Sequence, residues 1–249
     1  MKVRFNEELH EYRDDIGKYI SVTQLLSKYK NGFAKVEQAE KYVNNHPEYP
    51  MSVEQCLYAW DFLCDFALDK GNKYHNRKEL ENLWLQTPLK KGYVENLDHL
   101  YNLPDNIYPE LRVYNDDIRI AGHIDKVTVD GIFVDIEDYK TYKEPIKKKG
   151  FRGQTMLPPL QNLQDCNYVH AGLQLMIYGW ILEGWGYRVR SLKIHHKQFD
   201  DDAPIPKQFD CPLMSEEEMR KPQIYEIKYK PQLVRTILKD YVRTNKERN

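Results

Sequence analysis

The chain has 249 residues, with 37 basic and 38 acidic side chains, a formal net charge of −1, and 41% hydrophobic and 12% aromatic content. That balance supplies a packed interior and excludes a disordered or fibrous chain. The near-zero charge excludes attraction of nucleic acid by bulk electrostatics, so any such contact has to rest on local clusters. No run approaches the ~20 apolar residues of a membrane span, and the N-terminal MKVRFNEELHEY lacks the apolar stretch of a secretory signal. A cytoplasmic protein with no membrane partner is expected. Cys56, Cys64, Cys166 and Cys211 form no C-x-x-C pair and read as free, mostly buried thiols.

In chain order, residues 2–12 read as a strand, and Asp14-Asp15-Ile16-Gly17 as a turn into a second short strand ending near Ile20. Ser21 with Gln24 makes a capping box for the helix ISVTQLLSKY, stopped near Asn31-Gly32. Residues 33–45 predict another helix. From 53 to about 85, Leu57, Trp60, Phe62, Leu63, Phe66, Leu80, Leu83 and Trp84 recur near helical spacing, with Gly71 as an interruption. His75, in GNKYH at 71–75, is an ordinary helix residue unless metal-binding carboxylates lie elsewhere in the chain. Residues 86–106 read as a polar connection with a short helical piece around 94–101, and 107–114 (IYPELRVY) as a strand. Its Glu110 reads first as a structural residue pairing with a neighbour such as Arg112, and second as a group aimed at a site.

The stretch GHIDKVTVDGIFVDIEDYKT, 122–141, concentrates the chemistry. Strands at 120–129 and 132–139 flank Asp130-Gly131, a two-residue hairpin signal. Strict alternation puts Ile136, Asp138 and Lys140 on one face and Asp135, Glu137 and Tyr139 on the other. Two carboxylates, Asp125 and Asp138, beside Lys140 need a reason to be held from water, and a divalent cation with oxygen ligands supplies one. Next comes KTYKEPIKKKGFRG, 140–153, with six basic residues against one acidic. It is either a solvated loop or a grip on phosphates through Lys143, Lys147, Lys148, Lys149 and Arg152. An extended loop is expected up to 165, then a helix over 168–184 with a His170, Gln174, Tyr178 stripe, a strand over 190–197, and a loop over 199–212. Ser215 with Glu218 caps a brief helix, 224–229 alternates as a strand, and Pro231 opens a last helix to about 245.

GNKYH at 71–75, GHID at 122–125, DYKT at 138–141 and QLMIY at 174–178, with ISVTQLL at 20–26, make the chain resemble the PD-(D/E)XK nuclease superfamily. More narrowly, it resembles the RecB-type exonuclease branch, with phage and mitochondrial genome-maintenance exonucleases, over about residues 3–197. The resemblance implies an α/β fold with a restriction-endonuclease-like αβββαβ core, a mixed central sheet flanked by helices. It implies one domain over 1–249: an N-terminal strand-helix segment at 1–50, a core at about 53–197, and a C-terminal strand-helix extension at 198–249. It further implies that His75, Asp125, Asp138 and the Tyr139 backbone carbonyl hold Mg2+ or Mn2+, with Glu110 a weaker addition. Lys140 would assist the attacking water, and Gln174 and Tyr178 would support Lys140 or the DNA. Glu137 replaces the apolar residue more usual before Asp138. Some branch members carry an iron-sulfur cluster; Cys166 and Cys211 are too far apart in sequence for its usual ligand pattern, so none is expected.

The expected activity is metal-dependent hydrolysis of DNA ends or single strands, in recombination, repair or replication. Recombination or replication proteins are possible partners, and oligomeric state stays open. The alternative is a nucleic-acid-binding module that keeps the fold without turnover. DNA against RNA, polarity, and one ion against two are not encoded in any motif above.

Overall fold

The computed structural model describes residues 3–48, 51–86, 103–142, 144–198 and 222–246. Its organising element is the long strand β5, Ile120–Asp130, which pairs antiparallel with β4, Asn106–Asn115, from Ile120 to Val129 with a break at Asp125. The opposite edge of β5 is divided. Parallel β3, Lys18–Ser21, holds Ile120 and Ala121, while antiparallel β6, Phe133–Lys140, holds Lys126 to Asp130. The edge is therefore without a ladder partner over 122–125, the GHID stretch. The hairpin turn falls one residue later than expected: Asp130 still pairs with Phe133, so the loop is Gly131-Ile132, with Gly131 at φ +57. Glycine takes that left-handed conformation without a Cβ clash, and the Gly131 N–H donates to Asp105 Oδ1 at 2.7 Å.

Across the β4–β5 pair alternation fails at one place, and it fails in both strands at once. Along β5, Ile120 and Ile124 enter the main core, and so do Val127 and Val129, which have the other parity. The change falls at Asp125-Lys126, two successive half-buried residues; on β4 it falls at Pro109-Glu110, directly opposite. Glu110 carries the distortion, at φ +47. A non-glycine residue held there costs on the order of 1–3 kcal/mol.

The N-terminal expectation of one strand over 2–12 is corrected to a hairpin: β1, Arg4–Asn6, pairs with β2, Glu11–Arg13. Asn6 turns the chain by accepting from the Leu9 N–H at 2.8 Å, and His10 completes the turn at φ +50. β2 pairs with β3. Asp14 locks the next turn by accepting from the Ile16 and Gly17 N–H groups, from Tyr19, and from both terminal nitrogens of Arg119. Both halves of the Ser21/Gln24 capping box open α1, Val22–Ser27, whose Val22, Leu25 and Leu26 are buried.

Helix α2 is Lys35–Asn45, and α3, Val53–Leu85, runs unbroken through Gly71. A Cβ at Gly71 would lie 3.1 Å from Thr141 Oγ1, so the glycine marks a close approach to the sheet, not an interruption. The 33 residues of α3 span ~50 Å, against ~36 Å for β5. Much of the helix therefore overhangs, and Phe62, Leu63, Leu80, Leu83 and Trp84, which set the helical spacing, are exposed. The central core helix is α4, Asn167–Gly184, which packs on β4, β6 and β7, Arg188–His196. Strand β7 continues the sheet parallel to β6, and β8, Gln223–Glu226, closes it. Helix α5, Pro231–Lys246, packs against α4.

The element order α3-β4-β5-β6-α4-β7 is the helix, three strands, helix, strand expected from the sequence. The fold is thus mixed α/β, a mixed sheet flanked by helices. Among the described residues no helix is long and apolar enough to cross a membrane. Cys56 and Cys166 are buried and Cys64 is exposed, in keeping with thiols expected to be mostly buried. The expected 94–101 helical piece, the Ser215/Glu218 cap and Cys211 lie outside the described residues.

Candidate metal centre

The unpaired stretch of β5 is where the chemistry gathers. Because β6 joins β5 only from Lys126, the Tyr139 N–H finds no strand carbonyl at the junction; it donates instead to Asp125 Oδ2 at 2.6 Å. From α3, His75 brings its Nδ1 to 3.5 Å from the same oxygen. The Glu110 distortion on β4 faces Asp125, and the result is a trio: one ligand atom each from His75, Glu110 and Asp125, all within 4.8 Å of one another. Glu110 thus stands with the site, while Arg112 donates to His123 Nε2 and the Val3 carbonyl.

Asp138 and Lys140 occupy the adjoining position as a close pair. Lys140 Nζ donates to Asp138 Oδ1 at 2.7 Å and lies 2.6 Å from Oδ2, an oxygen that has no well-directed hydrogen-bond donor. Asp138 is 3% exposed. Burial pushes its carboxyl up to about 6; Lys140 draws it down, and Asp125 adds to the rise. For Lys140, burial disfavours the ammonium, but Asp138 and Asp125 outweigh it and hold the pKa above the ordinary lysine value. Burial likewise raises Glu110, to about 7, with the charges of Asp125, Glu79 and Asp138 acting in the same direction and Lys140 against them. Burial, with mutual repulsion adding to it, keeps two of these three carboxylates from ionising readily, and a divalent cation among them would offset that cost. The donors, carboxylate oxygens and one imidazole, suit magnesium or manganese.

The structure brings His75, Asp125, Asp138 and Lys140 together as expected, but turns Asp138 toward Lys140, outside the trio. Tyr139 takes part through its N–H. Glu137 lies on the opposite side, 2.7 Å from His195 Nε2 and bonded by Lys126 at 3.0 Å. Burial opposes its ionisation, yet His195 and Lys126 bring it down to about 2.

Gln174 and Tyr178 support the site by packing. Gln174 Nε2 donates to the Tyr178 hydroxyl at 3.1 Å, and the Tyr178 ring fills the space over Gly122. A Cβ there would lie 2.6 Å from Tyr178 Cε1, which is why GHID begins with glycine. The hydrogen bond of Lys140 goes to Asp138 and not to this pair. In the basic loop, Lys147, Lys148, Lys149 and Arg152 are exposed around the buried anchor Ile146. Lys148 Nζ is 5.1 Å from the centre of the Tyr168 ring. Lys143 lies outside the described residues.

Two further residues escaped the sequence reading. Glu79, one helical turn beyond His75, adds its charge beside Glu110; the i, i+4 spacing was a legible signal. Lys30 is half-buried, makes no ion pair among the described residues, and is held below the ordinary lysine pKa by burial, with Asp165 opposing and Lys140 adding to the effect. No local signal marks it. The 155–165 loop docks on the segment after α1 that carries it, through the Leu157 N–H to the Tyr29 carbonyl and the Asn31 N–H to Asp165.

No family model matches the chain, and no curated protein does. Among solved structures, one described as the crystal structure of SSO0001 aligns at 15% identity over 96% of this chain and 81% of that chain, with a TM-score of 0.39. At that level the likeness carries no argument about fold or function.

Proposed function

We propose that the protein is a metal-dependent deoxyribonuclease of the PD-(D/E)XK type, an exonuclease working on DNA ends or single strands. The observation that carries this reading is the His75, Glu110, Asp125 trio, with donor atoms within 4.8 Å of one another, set against the buried Asp138–Lys140 pair. Antiparallel β4-β5-β6 with β7 parallel to β6, ordered after α3 and around α4, supports a restriction-endonuclease-like core.

His75, Glu110 and Asp125 would hold magnesium or manganese, which would supply an activated water and neutralise charge on the scissile phosphate. Lys140, kept charged by Asp138, would orient the attacking water and balance charge developing on the phosphoryl oxygens. Asp138 fixes that ammonium and has a carboxylate oxygen to offer once Lys140 turns to substrate. The N–H of Tyr139 fixes the rotamer of Asp125. Lys30 and the exposed loop lysines bind the flanking backbone, so affinity falls with added salt.

The test uses end-labelled linear and closed circular DNA with magnesium, manganese or chelator, alongside Lys140→Ala. Cleavage of linear DNA only with metal, lost in the variant, is expected. Metal-independent cleavage, or equal cleavage by the variant, would sink the mechanism. Tight binding without cleavage in every metal points to the non-catalytic module.

A further inference from the structure

Beside the proposed centre, on the same unpaired edge of β5, is an open cleft of ≈ 410 Å³ walled by Phe5, His10, Tyr12 and His123, with Ser21 and Thr23 on its rim. We propose that this cleft seats the base of an unpaired nucleotide adjoining the phosphate cleaved at the centre. The proposal rests on the nuclease reading and adds to it a subsite and a strand preference.

Position comes first. His123 precedes Asp125 by two residues on β5, which is ~6.6 Å along a strand, a reach that one extended nucleotide spans. Ser21, on the rim, is the last β3 residue paired with β5, opposite Ala121, so the cleft lies where that edge of β5 becomes free.

Its surface suits a base. The Phe5 ring lies 4.6 Å from Tyr12 and 5.0 Å from His123, centre to centre, and 5.6 Å from His10. Tyr12 is buried, Phe5 half-buried and His10 exposed, so the rings grade from a fixed floor to an accessible rim. A polar handle is present too. His123 Nε2 accepts from Arg112 Nε at 3.2 Å, so its ring proton is on Nδ1, which donates to the Tyr12 oxygen at 3.2 Å. The hydroxyl proton of Tyr12 is then available to an acceptor on a base. Stacking of this kind tolerates any base, because each has a π-face, but demands an unpaired one, because bases in a duplex already stack on both sides.

The experiment compares wild type with Phe5→Leu, which keeps volume and removes the aromatic face, and with His10→Ala at the exposed rim. Affinities for a short labelled single strand and a blunt duplex are measured in chelator, and single-turnover cleavage in magnesium. A series of single strands carries one abasic residue at successive positions. Expected are roughly 5- to 10-fold weaker single-strand binding in each variant, as loss of one partial stacking contact gives, with duplex binding unchanged. An abasic residue at one position should produce a loss at least as large in wild type and a smaller one in Phe5→Leu, where part of the stacking is already gone. Unchanged single-strand affinity in both variants, or an abasic penalty that persists in full in Phe5→Leu, overturns the subsite. Metal-dependent cleavage in that case leaves the nuclease reading standing. Folded wild-type protein that neither binds nor cleaves any nucleic acid overturns both.

Discussion

Glu110→Gln separates what the candidate centre does for the fold from what it does for a cation. Glu110 titrates at about 7 instead of 4.5, through burial and then the neighbouring carboxylates Asp125, Glu79 and Asp138. A carboxyl whose folded pKa is raised costs nothing below the unfolded value, where both states are protonated. The cost grows between pH 4.5 and 7 and is complete above that. By linkage it reaches about 3 kcal/mol, or roughly 6–12 °C in Tm for a chain of this length. In chelator at pH 8, Glu110→Gln should therefore melt higher than wild type by up to that amount, and near pH 4 the two should coincide. Manganese should reverse the ordering. Wild type gains about 2.7 kcal/mol at a hundredfold excess over Kd, while the variant, with one donor of the trio gone, gains less. The assay is thermal melting across pH with chelator or manganese. A variant less stable than wild type at pH 8 without metal, or equal manganese stabilisation of both, would refute the reasoning.

Lys140→Met should abolish cleavage and leave Asp138 buried without its cation, at about 3 kcal/mol, the low end for a broken buried pair because Lys140 retains 20% side-chain exposure. Urea titrations should show that cost at pH 8 and less of it at pH 5, where Asp138 protonates; an equal cost at both would contradict the pairing. Gly122→Ala forces a methyl against the Tyr178 ring and should cost about 1–3 kcal/mol, with a less than additive loss when combined with Tyr178→Ala; a wild-type melting temperature would refute the close packing. Far from the centre, Arg119 holds the Asp14 carboxyl well below the usual range against the opposing effect of burial, with the Gly17 N–H, Tyr19 and the Ile16 N–H adding to it. A depressed carboxyl stabilises above its unfolded pKa and loses that contribution as pH falls. Asp14→Asn should therefore be less stable than wild type at neutral pH and converge with it in acid, as read by melting between pH 7 and 2.

Elements specified locally were legible in the sequence. The Ser21/Gln24 box, the hairpin between β5 and β6, and α4 with its unbroken apolar face each follow from residues within a few positions of one another. What escaped was set by distant contacts. The pleat change at Glu110 and Asp125 is one conformational exception shared by two strands, and no period-2 reading anticipates it. Gly71 looks like a helix breaker until Thr141 is placed beside it. The apolar residues of α3 predict a helix correctly but not its burial, because helical spacing carries no information on how far a helix extends past its sheet. His75, Asp125, Asp138 and Lys140 were legible as one cluster, but the place of Glu110 rather than Asp138 in the trio depended on that single positive φ.

Helix α5 lies beyond the stretch, about 3–197, on which the resemblance rests, yet Val234 and Ile237 are 0% exposed in the main core. Tyr29, just after α1, donates to Asp240 at 3.1 Å and to the Ile237 carbonyl at 3.3 Å. The recognisable portion is consequently not a portable module. A chain ending after β7 would uncover the apolar flank of α4 and release the clasp on α1, the helix whose last turn leads into Lys30. Any transplant of the proposed site into a fusion protein has to carry the last helix along, and a nick near residue 230 should loosen both α4 and α1.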